Sequence, residues 1–270
     1  MAYSNADARP VPVDEACELL ANDRITDTLW DMELHAPQIA GCILPGQFVH
    51  MKVPGMDGHI LRRPFSVYTA NPDAGTLRTL YQVVGKGSAH MATLAPGRTD
   101  AIRVMGPMGN PWWLPDGAKR VLLVTGGVGA APLAMFAKRL VAEGVGVDVC
   151  MGAQTKAALV LKGHYEDAIG VKPVYATDDG SFGFSGFVTQ PAADMIADND
   201  YDLVCCCGPE PLMRIVADMA EVAQVPCQVS LEKRMACGIG ACLSCVVDTV
   251  EGRRRSCVDG PVFDARKVVW

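Results

Sequence analysis

The stretch Arg120-Val-Leu-Leu-Val-Thr-Gly-Gly-Val-Gly-Ala-Ala-Pro132 decides the fold of the second half of this chain. It predicts a buried strand over 120–125, a glycine turn over 126–129 and a helix over 130–141, whose apolar residues recur on one face. A glycine turn between a strand and a helix is the setting of a pyrophosphate-binding loop. The candidate nucleotide contacts are therefore Gly126, Gly127, Val128 and Gly129. Pro132 stands where the full G-x-G-x-x-G motif has its third glycine, so an ordinary strand–turn–helix connection remains the alternative.

Further strands and helices alternate after this stretch. Strands are predicted over 145–151, 171–176 and 203–207, and a helix over 211–222. Such alternation predicts a doubly wound parallel sheet with helices on both faces. Ligands gather at the carboxyl ends of the strands of such sheets, which makes Cys207, Gly208 and Pro209 candidates. We expect Cys205 and Cys206 to be buried in their strand and Cys207 to face a nicotinamide.

The first 110 residues or so have a different pattern, with short apolar stretches broken by Gly and Pro turns. Strands over 47–53 and 77–84 are examples, and the close spacing predicts a small antiparallel β-barrel. Residues 88–94 predict one short helix. The stretch 111–117 reads as a linker, and its adjacent tryptophans, Trp112 and Trp113, predict packing at a domain junction.

The segment Arg62-Arg-Pro-Phe-Ser-Val67 places a cation and a hydroxyl on one extended strand. This arrangement suits a flavin, since the cation can meet a pyrophosphate while the hydroxyl and backbone N–H groups meet the ring edge. Tyr81-Gln82 is predicted to lie on the neighbouring strand. Gly85-Lys-Gly-Ser88 is predicted to open a short helix and to offer a phosphate site. Taken alone, the segment also fits an ordinary strand.

Four of the eleven cysteines follow the pattern C-x4-C-x2-C-x11-C, at Cys237, Cys242, Cys245 and Cys257. This spacing is typical of plant-type thiolate ligation of a [2Fe-2S] cluster. Structural zinc usually takes two short hooks, and a disulfide framework belongs to secreted proteins, so both are the weaker alternatives. The run Arg253-Arg-Arg255 is either a solvated face or a group that docks a partner or raises the cluster potential.

Composition limits the classes of function. The net charge of −6 argues against a nucleic-acid partner, and half of the 270 residues are apolar, enough for a large core. No stretch reaches the roughly 20 apolar residues of a membrane span, and no secretory signal is apparent. Many cysteines without such a signal predict a reducing, cytoplasmic location.

Taken in order, these motifs resemble those of the ferredoxin–NADP reductase superfamily. More narrowly, the chain resembles the electron-transfer subunits of the NAD-dependent (class 1B) dihydroorotate dehydrogenases. The segments Leu231–Cys242 and Cys257–Asp264 carry the most specific part of that resemblance, which extends from about residue 10 to the last residue. The order of segments then predicts three domains: an FAD-binding β-barrel over 1–112, an NAD-binding α/β domain over 113–226 and a [2Fe-2S] domain over 227–270.

The resemblance also implies individual roles. It implies cluster ligation by the four tail cysteines, and FAD contacts at Arg63, Pro64, Phe65, Ser66, Leu80, Tyr81, Gln82, Gly87 and Ser88. Ser88 stands where the family often has threonine, which preserves the hydroxyl.

The implied function is an electron relay in pyrimidine biosynthesis. Electrons would pass from the FMN of a dihydroorotate dehydrogenase catalytic subunit through the cluster and FAD to NAD+, in a heterotetramer with two copies of each chain. No catalytic acid or base is expected here, because the five histidines are scattered without carboxylate partners, at His35, His50, His59, His90 and His164. The acidic stretch Ala176–Gly183 favours NAD over NADP. The alternative is a reductase component that serves ferredoxin, sulfide or an oxygenase on the same scaffold.

Overall fold

A computed structural model describes residues 10–56, 58–98, 100–170 and 172–270. The first part is a closed antiparallel barrel with strand order β1-β2-β5-β4-β3-β6. Its strands are β1 (Val13–Arg24), β2 (Leu29–His35), β3 (Phe48–Lys52), β4 (Arg63–Asn71), β5 (Thr76–Gln82) and β6 (Ile102–Met108). Two short helices, α1 (Pro37–Ala40) and α2 (Lys86–Met91), cover it. The predicted barrel is confirmed.

Side chains of the barrel strands alternate between its interior and its outer surface, as the two-residue period of a strand requires. On β3, Val49 and Met51 belong to the barrel core. Phe48 belongs instead to a separate cluster outside the barrel. His50, two residues after Phe48 on the same strand, therefore also faces outward. This outer face of β3 is important for the site described below.

The second part is a seven-stranded sheet with the order β10-β9-β8-β7-β11-β12-β15 in the described residues. Its strands are β7 (Arg120–Gly126), β8 (Gly146–Ala153), β9 (Val174–Thr177), β10 (Phe184–Ser185), β11 (Leu203–Cys207), β12 (Cys227–Ser230) and β15 (Val262–Asp264). Neighbouring strands are parallel, except that β15 runs antiparallel to β12. The predicted doubly wound sheet is confirmed.

Helices lie on both faces of the sheet. Residues of α3 (Ala131–Ala142) and Tyr165 of α4 (Lys162–Ile169) pack into one core, which also takes in barrel residues such as Tyr68 and Leu80. Residues of α5 (Thr189–Asp198) and α6 (Glu210–Val222) pack into the core on the other face. The first core therefore joins the barrel to the sheet.

Trp112 packs at the junction between the barrel and the sheet. Its ring is fully buried and stacks on Phe136 with 6.1 Å between ring centroids, while its Nε1 donates to the Pro132 carbonyl at 2.7 Å. The adjacent Trp113 is only partly buried. The predicted packing of the tryptophans is confirmed, most strongly for Trp112.

Several predicted bounds differ from the structure. Helix α2 begins at Lys86 rather than 88, because the Ser88 hydroxyl caps Gly85 from inside the first turn. Strand β9 begins at Val174, directly after Pro173, which lacks the N–H that a sheet ladder needs. The expected start of that strand, Val171, lies outside the described residues. Strands β12 and β15 lie beyond the predicted domain boundary at 226/227 and pair into the nucleotide sheet. The three-domain division stays a prediction.

The rest of the tail forms a hairpin of β13 (Val246–Thr249) and β14 (Gly252–Arg255). The long connection from β12 to β13 carries three of the four tail cysteines, and the fourth follows β14. Within the described residues, no helix is long and apolar enough to cross a membrane.

Candidate functional site

The predicted FAD contacts come from three segments that meet in the structure. Antiparallel pairing places the start of β4 beside the end of β5, where the rings of Phe65 and Tyr81 are 5.8 Å apart between centroids. The start of α2 then reaches back to β4, and a Cβ added at Gly87 would overlap the Arg63 guanidinium. The sequence predicted that β4 and β5 would be neighbours, and this is confirmed.

The cation at this junction is suited to an anionic ligand. No carboxylate of the described residues lies within ion-pair distance of Arg63, whose Nη1 donates to the Leu61 carbonyl. Its neighbour Arg62, by contrast, pairs with Asp14 at 2.8 Å. The Ser88 hydroxyl accepts the Val84 and Gly85 N–H groups at 2.9 and 3.2 Å, which fixes the loop against Arg63. Arg63, packed over the buried Gly87, is thus a cation that fits a dinucleotide pyrophosphate.

Not every predicted flavin contact offers its side chain to a ligand. Tyr81 is buried inside the barrel, and its hydroxyl donates to Asn22 Oδ1 at 2.8 Å. Burial raises the pKa of Tyr81 to about 12. Leu80 packs into the core shared by barrel and sheet, while Gln82 is exposed. The flavin roles of the nine residues stay predictions.

The glycine turn and the Cys207-Gly-Pro segment touch backbone to backbone. Cys207 pairs with Thr125 across β11 and β7, so both segments leave the same edge of the sheet. A Cβ at Gly129 would collide with the Cys207 carbonyl, and one at Gly208 would lie 3.0 Å from the Gly126 nitrogen. Strand order reverses between β7 and β11, which is where open α/β sheets bind ligands. The two nucleotide motifs therefore form one candidate site.

Cys207 itself lies at the bottom of that site. It is 2% exposed, and its thiol donates to the Ser230 carbonyl at 3.6 Å. Burial raises the pKa of Cys207, and the nearby Glu232 raises it further. Cys205 and Cys206 are fully buried in β11, as predicted. A nicotinamide contact at Cys207 stays a prediction.

The loop after β12 wraps around the sulfur of Cys237. The Cys242 N–H donates to Cys237 Sγ at 3.4 Å. Burial raises the pKa of Cys237, but backbone N–H groups of Cys242, Ile239 and Ala241 outweigh it and bring the pKa to about 7. Gly238 and Gly240 have φ of +74° and +81°, a region that glycine enters without strain. The loop is thus folded to direct N–H groups at sulfur.

The β13–β14 hairpin brings the last two cysteines together. Val246 pairs with Arg255 at the open end of the hairpin, and the Ser256 N–H donates to the Cys245 carbonyl at 2.9 Å. Cys245 and Cys257, which flank the hairpin, are both buried. Burial, and next the contact with Cys245, raise the pKa of Cys257 to about 12. A metal ion would remove that proton, because its charge favours the thiolate.

The arrangement of the four tail cysteines fits a two-iron cluster. Among the residues that the structure describes, no three His, Cys, Asp or Glu side chains form a group that could hold one metal ion. Each iron of a [2Fe-2S] cluster takes only two thiolates, so convergence of three or four on one point is not required. Two pairs of cysteines and several N–H groups aimed at sulfur meet that requirement.

Arg255 connects the cysteine loop to the hairpin. Its Nη1 donates to the Gly240 carbonyl at 3.3 Å, and its Nε donates to Asp259 at 3.1 Å. Burial opposes ionisation of Asp259, but Arg255 outweighs it and lowers the pKa of that carboxyl. Arg253, by contrast, has an 80% exposed side chain. The sequence alone did not predict which of these arginines makes structural contacts, because nothing in the run of three distinguishes Arg255 from the other two.

The cysteine loop packs on the outer face of β3 and β6. Cys245 and Cys257 form one apolar cluster with Phe48 and Met108. A Cβ at Gly238 would lie 2.6 Å from His50 Nδ1. On β3 itself, Phe48 pairs with Ser66 and His50 pairs with Pro64 of the predicted flavin strand. One strand therefore separates the flavin segment from the cysteine loop, which no sequence motif indicated.

Comparison with solved structures places the fold in a class. The structure of an NADH-dependent reduced ferredoxin-NADP oxidoreductase matches with a TM-score of 0.85 and 30% identity, over 95% of this chain and 90% of that chain. A ferredoxin reductase of carbazole 1,9a-dioxygenase matches in fold, with a TM-score of 0.66 and 24% identity over 81% of this chain and 68% of that one. The barrel, the sheet and the paired glycine motifs thus define a flavin- and NAD-dependent reductase of the ferredoxin–NADP reductase type.

Sequence relatives narrow this class. The model for the iron-sulfur cluster binding domain of dihydroorotate dehydrogenase B matches residues 232–269. The dihydroorotate dehydrogenase B (NAD(+)) electron transfer subunit of Desulforamulus reducens is 37% identical over 257 residues, covering 94% of this chain and 97% of the relative. That of Bacillus caldolyticus is 38% identical over 252 residues, covering 91% and 94%. The chain belongs to this family of electron transfer subunits.

Family membership settles the cofactors and the kind of enzyme. The chain is a subunit of an NAD-dependent flavin and iron–sulfur oxidoreductase, with FAD, a [2Fe-2S] cluster and NAD as its cofactors. It transfers electrons, and the family name implies a catalytic dihydroorotate dehydrogenase partner. The resemblance predicted from the sequence is confirmed.

Proposed function

We propose that this chain carries electrons between NAD+ and the FMN of a catalytic dihydroorotate dehydrogenase chain, in a cytoplasmic assembly with two copies of each. The names of the relatives support the catalytic partner and the use of NAD+. Four of the eleven cysteines are assigned to iron and the other seven are free thiols, which supports a reducing compartment. The pathway would be pyrimidine biosynthesis, since dihydroorotate is a pyrimidine precursor.

The observation that carries the proposal is the position of β3. Its edge pairs with the strand that bears Arg63–Ser66, and its outer face supports the loop that bears Cys237–Cys245. Neighbouring strands lie about 5 Å apart, and a layer packed on the face of a sheet lies about 10 Å from it. Groups held on these two segments would therefore be close neighbours, as an electron relay needs.

The chemistry that bound FAD would supply is hydride exchange with nicotinamide and one-electron exchange with the [2Fe-2S] cluster. The chain's own residues hold and orient these groups. Arg63 would hold the FAD pyrophosphate, and the Gly126–Gly129 turn would give the NAD pyrophosphate a close approach to the backbone. The four tail cysteines would ligate the iron, while N–H groups of the loop stabilise negative charge on the sulfurs.

The preference for NAD over NADP has support at the carboxyl edge of the sheet. The Asp178 N–H donates to the Ala153 carbonyl, and the Asp179 N–H donates to the Gln154 carbonyl, so both residues lie beside the end of β8. A carboxylate in that region favours a free ribose hydroxyl and repels a 2′-phosphate. Hydrogen bonds from Ser181 lower the pKa of Asp179, which keeps it charged.

The pyrimidine step is assigned to the partner. Among the described histidines, His90 bonds the Pro54 carbonyl, and His164 packs edge-on against Tyr68. Neither arrangement resembles a histidine oriented by a carboxylate for acid–base work. This chain would thus supply electron transfer alone.

Reconstitution tests this division of labour. The purified chain should oxidise NADH with an artificial acceptor and leave dihydroorotate unchanged. Addition of the catalytic chain should produce dihydroorotate-dependent reduction of NAD+, and the mass of the complex should correspond to two copies of each subunit. Dihydroorotate turnover by this chain alone would overturn the proposal, as would a complex that fails to reduce NAD+.

A further inference from the structure

His50 is a buried imidazole without a hydrogen-bond partner. Its side chain is 0% exposed, and neither Nδ1 nor Nε2 has a partner among the described residues. The Arg62 carbonyl is close enough to influence the ring, yet it lies outside hydrogen-bond geometry. An unsatisfied buried donor is destabilising, so such a group calls for a physical explanation.

The strand neighbours of His50 provide no strong acceptor. On one side His50 pairs with Pro64 of β4, and on the other with Met105 of β6. Outward, its ring lies against Gly238, whose added Cβ would be 2.6 Å from Nδ1 and 3.3 Å from Cε1. Gly238 follows Cys237 directly. The outward edge of the imidazole, which carries Nδ1, therefore faces the loop that is folded around the Cys237 sulfur.

The other four histidines lie in different surroundings. His90 has the Pro54 carbonyl, His164 has the Tyr68 ring, and His35 lies beside Gly75. His59 is exposed, in the loop before β4. None of them is both fully buried and set against the cysteine loop. This makes histidine-specific labelling a probe of His50.

We propose that His50 is a positioning residue that donates an N–H hydrogen bond to a sulfur of the [2Fe-2S] cluster and thereby raises the cluster's reduction potential. An imidazole carries at least one N–H in either protonation state, so the donor is always present. A hydrogen bond to a cluster sulfur stabilises the more negative, reduced form. The inference rests on the proposed ligation by the four tail cysteines.

His50 lies between the two segments assigned to the redox groups. Its backbone is in register with Pro64 of the flavin strand, while its ring touches the backbone after the first cluster ligand. A change at this position can therefore be compared at both cofactors in one sample. The inference concerns the cluster side, because the ring points outward with Phe48 toward the cysteine loop.

Two variants of the full chain distinguish the effect of the N–H donor from the effect of the ring volume. His50→Phe keeps an aromatic ring and removes the donor, and His50→Gln keeps an N–H. At the wild-type midpoint, the oxidised-to-reduced ratio of the cluster should rise about tenfold in His50→Phe, a negative shift of 59 mV for one electron. His50→Gln should change the ratio by less than about threefold. Equal shifts in both variants, or none in His50→Phe, would overturn the inference.

The wild-type protein gives an independent test if either variant folds poorly. Pulsed EPR of the reduced cluster in protein grown with 15N-histidine should detect a coupled imidazole nitrogen and an exchangeable proton. Loss of the histidine coupling in His50→Gln would identify the residue, and its absence from wild type would contradict the inference.

Iron, sulfide and FAD contents of each sample distinguish the two proposals. Two irons and two sulfides per chain with no coupling would remove the role of His50 and leave the relay intact. Wild-type protein without iron would instead contradict the relay. A shift of the flavin potential without a shift of the cluster potential would show that His50 acts on the flavin, and it would overturn the inference.

Discussion

Cys205 and Cys206 of strand β11 and Cys237 of the tail are the same residue type in opposite environments. Cys205 and Cys206 are surrounded by apolar side chains in the sheet, and burial raises their pKa values well above the ordinary value. Cys237 lies in a loop whose N–H groups lower its pKa to about 7. The surroundings of Cys237 favour the thiolate, which is the form that binds iron, whereas those of Cys205 and Cys206 oppose it.

The two regions also obtain their stability differently. The sheet relies on apolar burial on both faces and on close backbone approach at glycines. The cysteine loop relies on polar ties, such as those of Arg255, and on a small apolar contact with the barrel. A segment of this size has too little core to fold alone, so bound metal would add a large share of its stability.

The largest expected effect comes from removing one exposed tail cysteine. Cys242→Ser should lower the iron content about tenfold or more, while FAD-dependent oxidation of NADH continues, because the flavin strand is untouched. The control is Cys206→Ala, which should keep full iron and lose about 1–3 kcal/mol of unfolding free energy. Metal analysis and chemical denaturation measure both. Iron loss in Cys206→Ala with full iron in Cys242→Ser would break the comparison.

A smaller effect is expected from removing Arg255, whose guanidinium holds the cysteine loop to the hairpin. Arg255→Leu removes the bonds to Gly240 and Asp259 and should speed the loss of iron to a chelator about tenfold. The exposed neighbour provides the control, since Arg253→Leu should leave the rate within about twofold. Bleaching of the visible cluster bands follows the rate. Equal rates of iron loss in the two variants would show that the Arg255 contacts do not stabilise the cluster.

The sheet should respond to added volume where its backbones touch. In Gly129→Ala the new methyl would collide with the Cys207 carbonyl, so the KM for NADH should rise about tenfold with little loss of iron. Gly163→Ala is the matched control, because nothing lies within 4 Å of that position on α4. It should leave KM unchanged and stabilise the chain by about 0.4–1 kcal/mol. An unchanged KM in Gly129→Ala would separate the turn from NAD binding.

The smallest effect is a pH dependence of the sheet. Burial raises the pKa of Cys150 from 9.0 to about 12, so the unfolded thiol loses its proton first as pH rises. Its stabilising contribution is complete below pH 9 and declines between pH 9 and 12. From pH 8 to 9.5 the loss should be about 1 kcal/mol for this thiol. Cys150→Ala should show a correspondingly shallower decline in denaturation experiments, and an identical slope would refute the assignment.

Local patterns predicted much of the fold. The strand–turn–helix over 120–141 was predictable because its apolar period and its glycines are contiguous. Helix α4 was not predicted, since its sequence, Lys-Gly-His-Tyr-Glu-Asp-Ala-Ile, has little apolar periodicity. Strands β12 and β15 are four and three residues long, and their pairing depends on partners far away in the chain.

For the site, the sequence predicted the residues that would hold the cofactors but not how those residues are brought together. Cysteine spacing indicated the cluster, and the Arg-Pro-Phe-Ser segment indicated a flavin. Residues that place these groups side by side have no local signature: His50 lies in an ordinary apolar strand, and Arg255 is the last of three identical residues. Their roles depend on how β3, the barrel and the tail pack together, which only the folded chain defines.

The most direct test is anaerobic reduction of the isolated, fully loaded chain by NADH, followed simultaneously by flavin absorbance and by EPR of the cluster. Flavin and cluster should both be reduced within one enzymatic turnover, because only β3 separates the segments assigned to them. Reduction of the flavin with a cluster that stays oxidised would contradict the account, and so would protein that contains neither iron nor acid-labile sulfide.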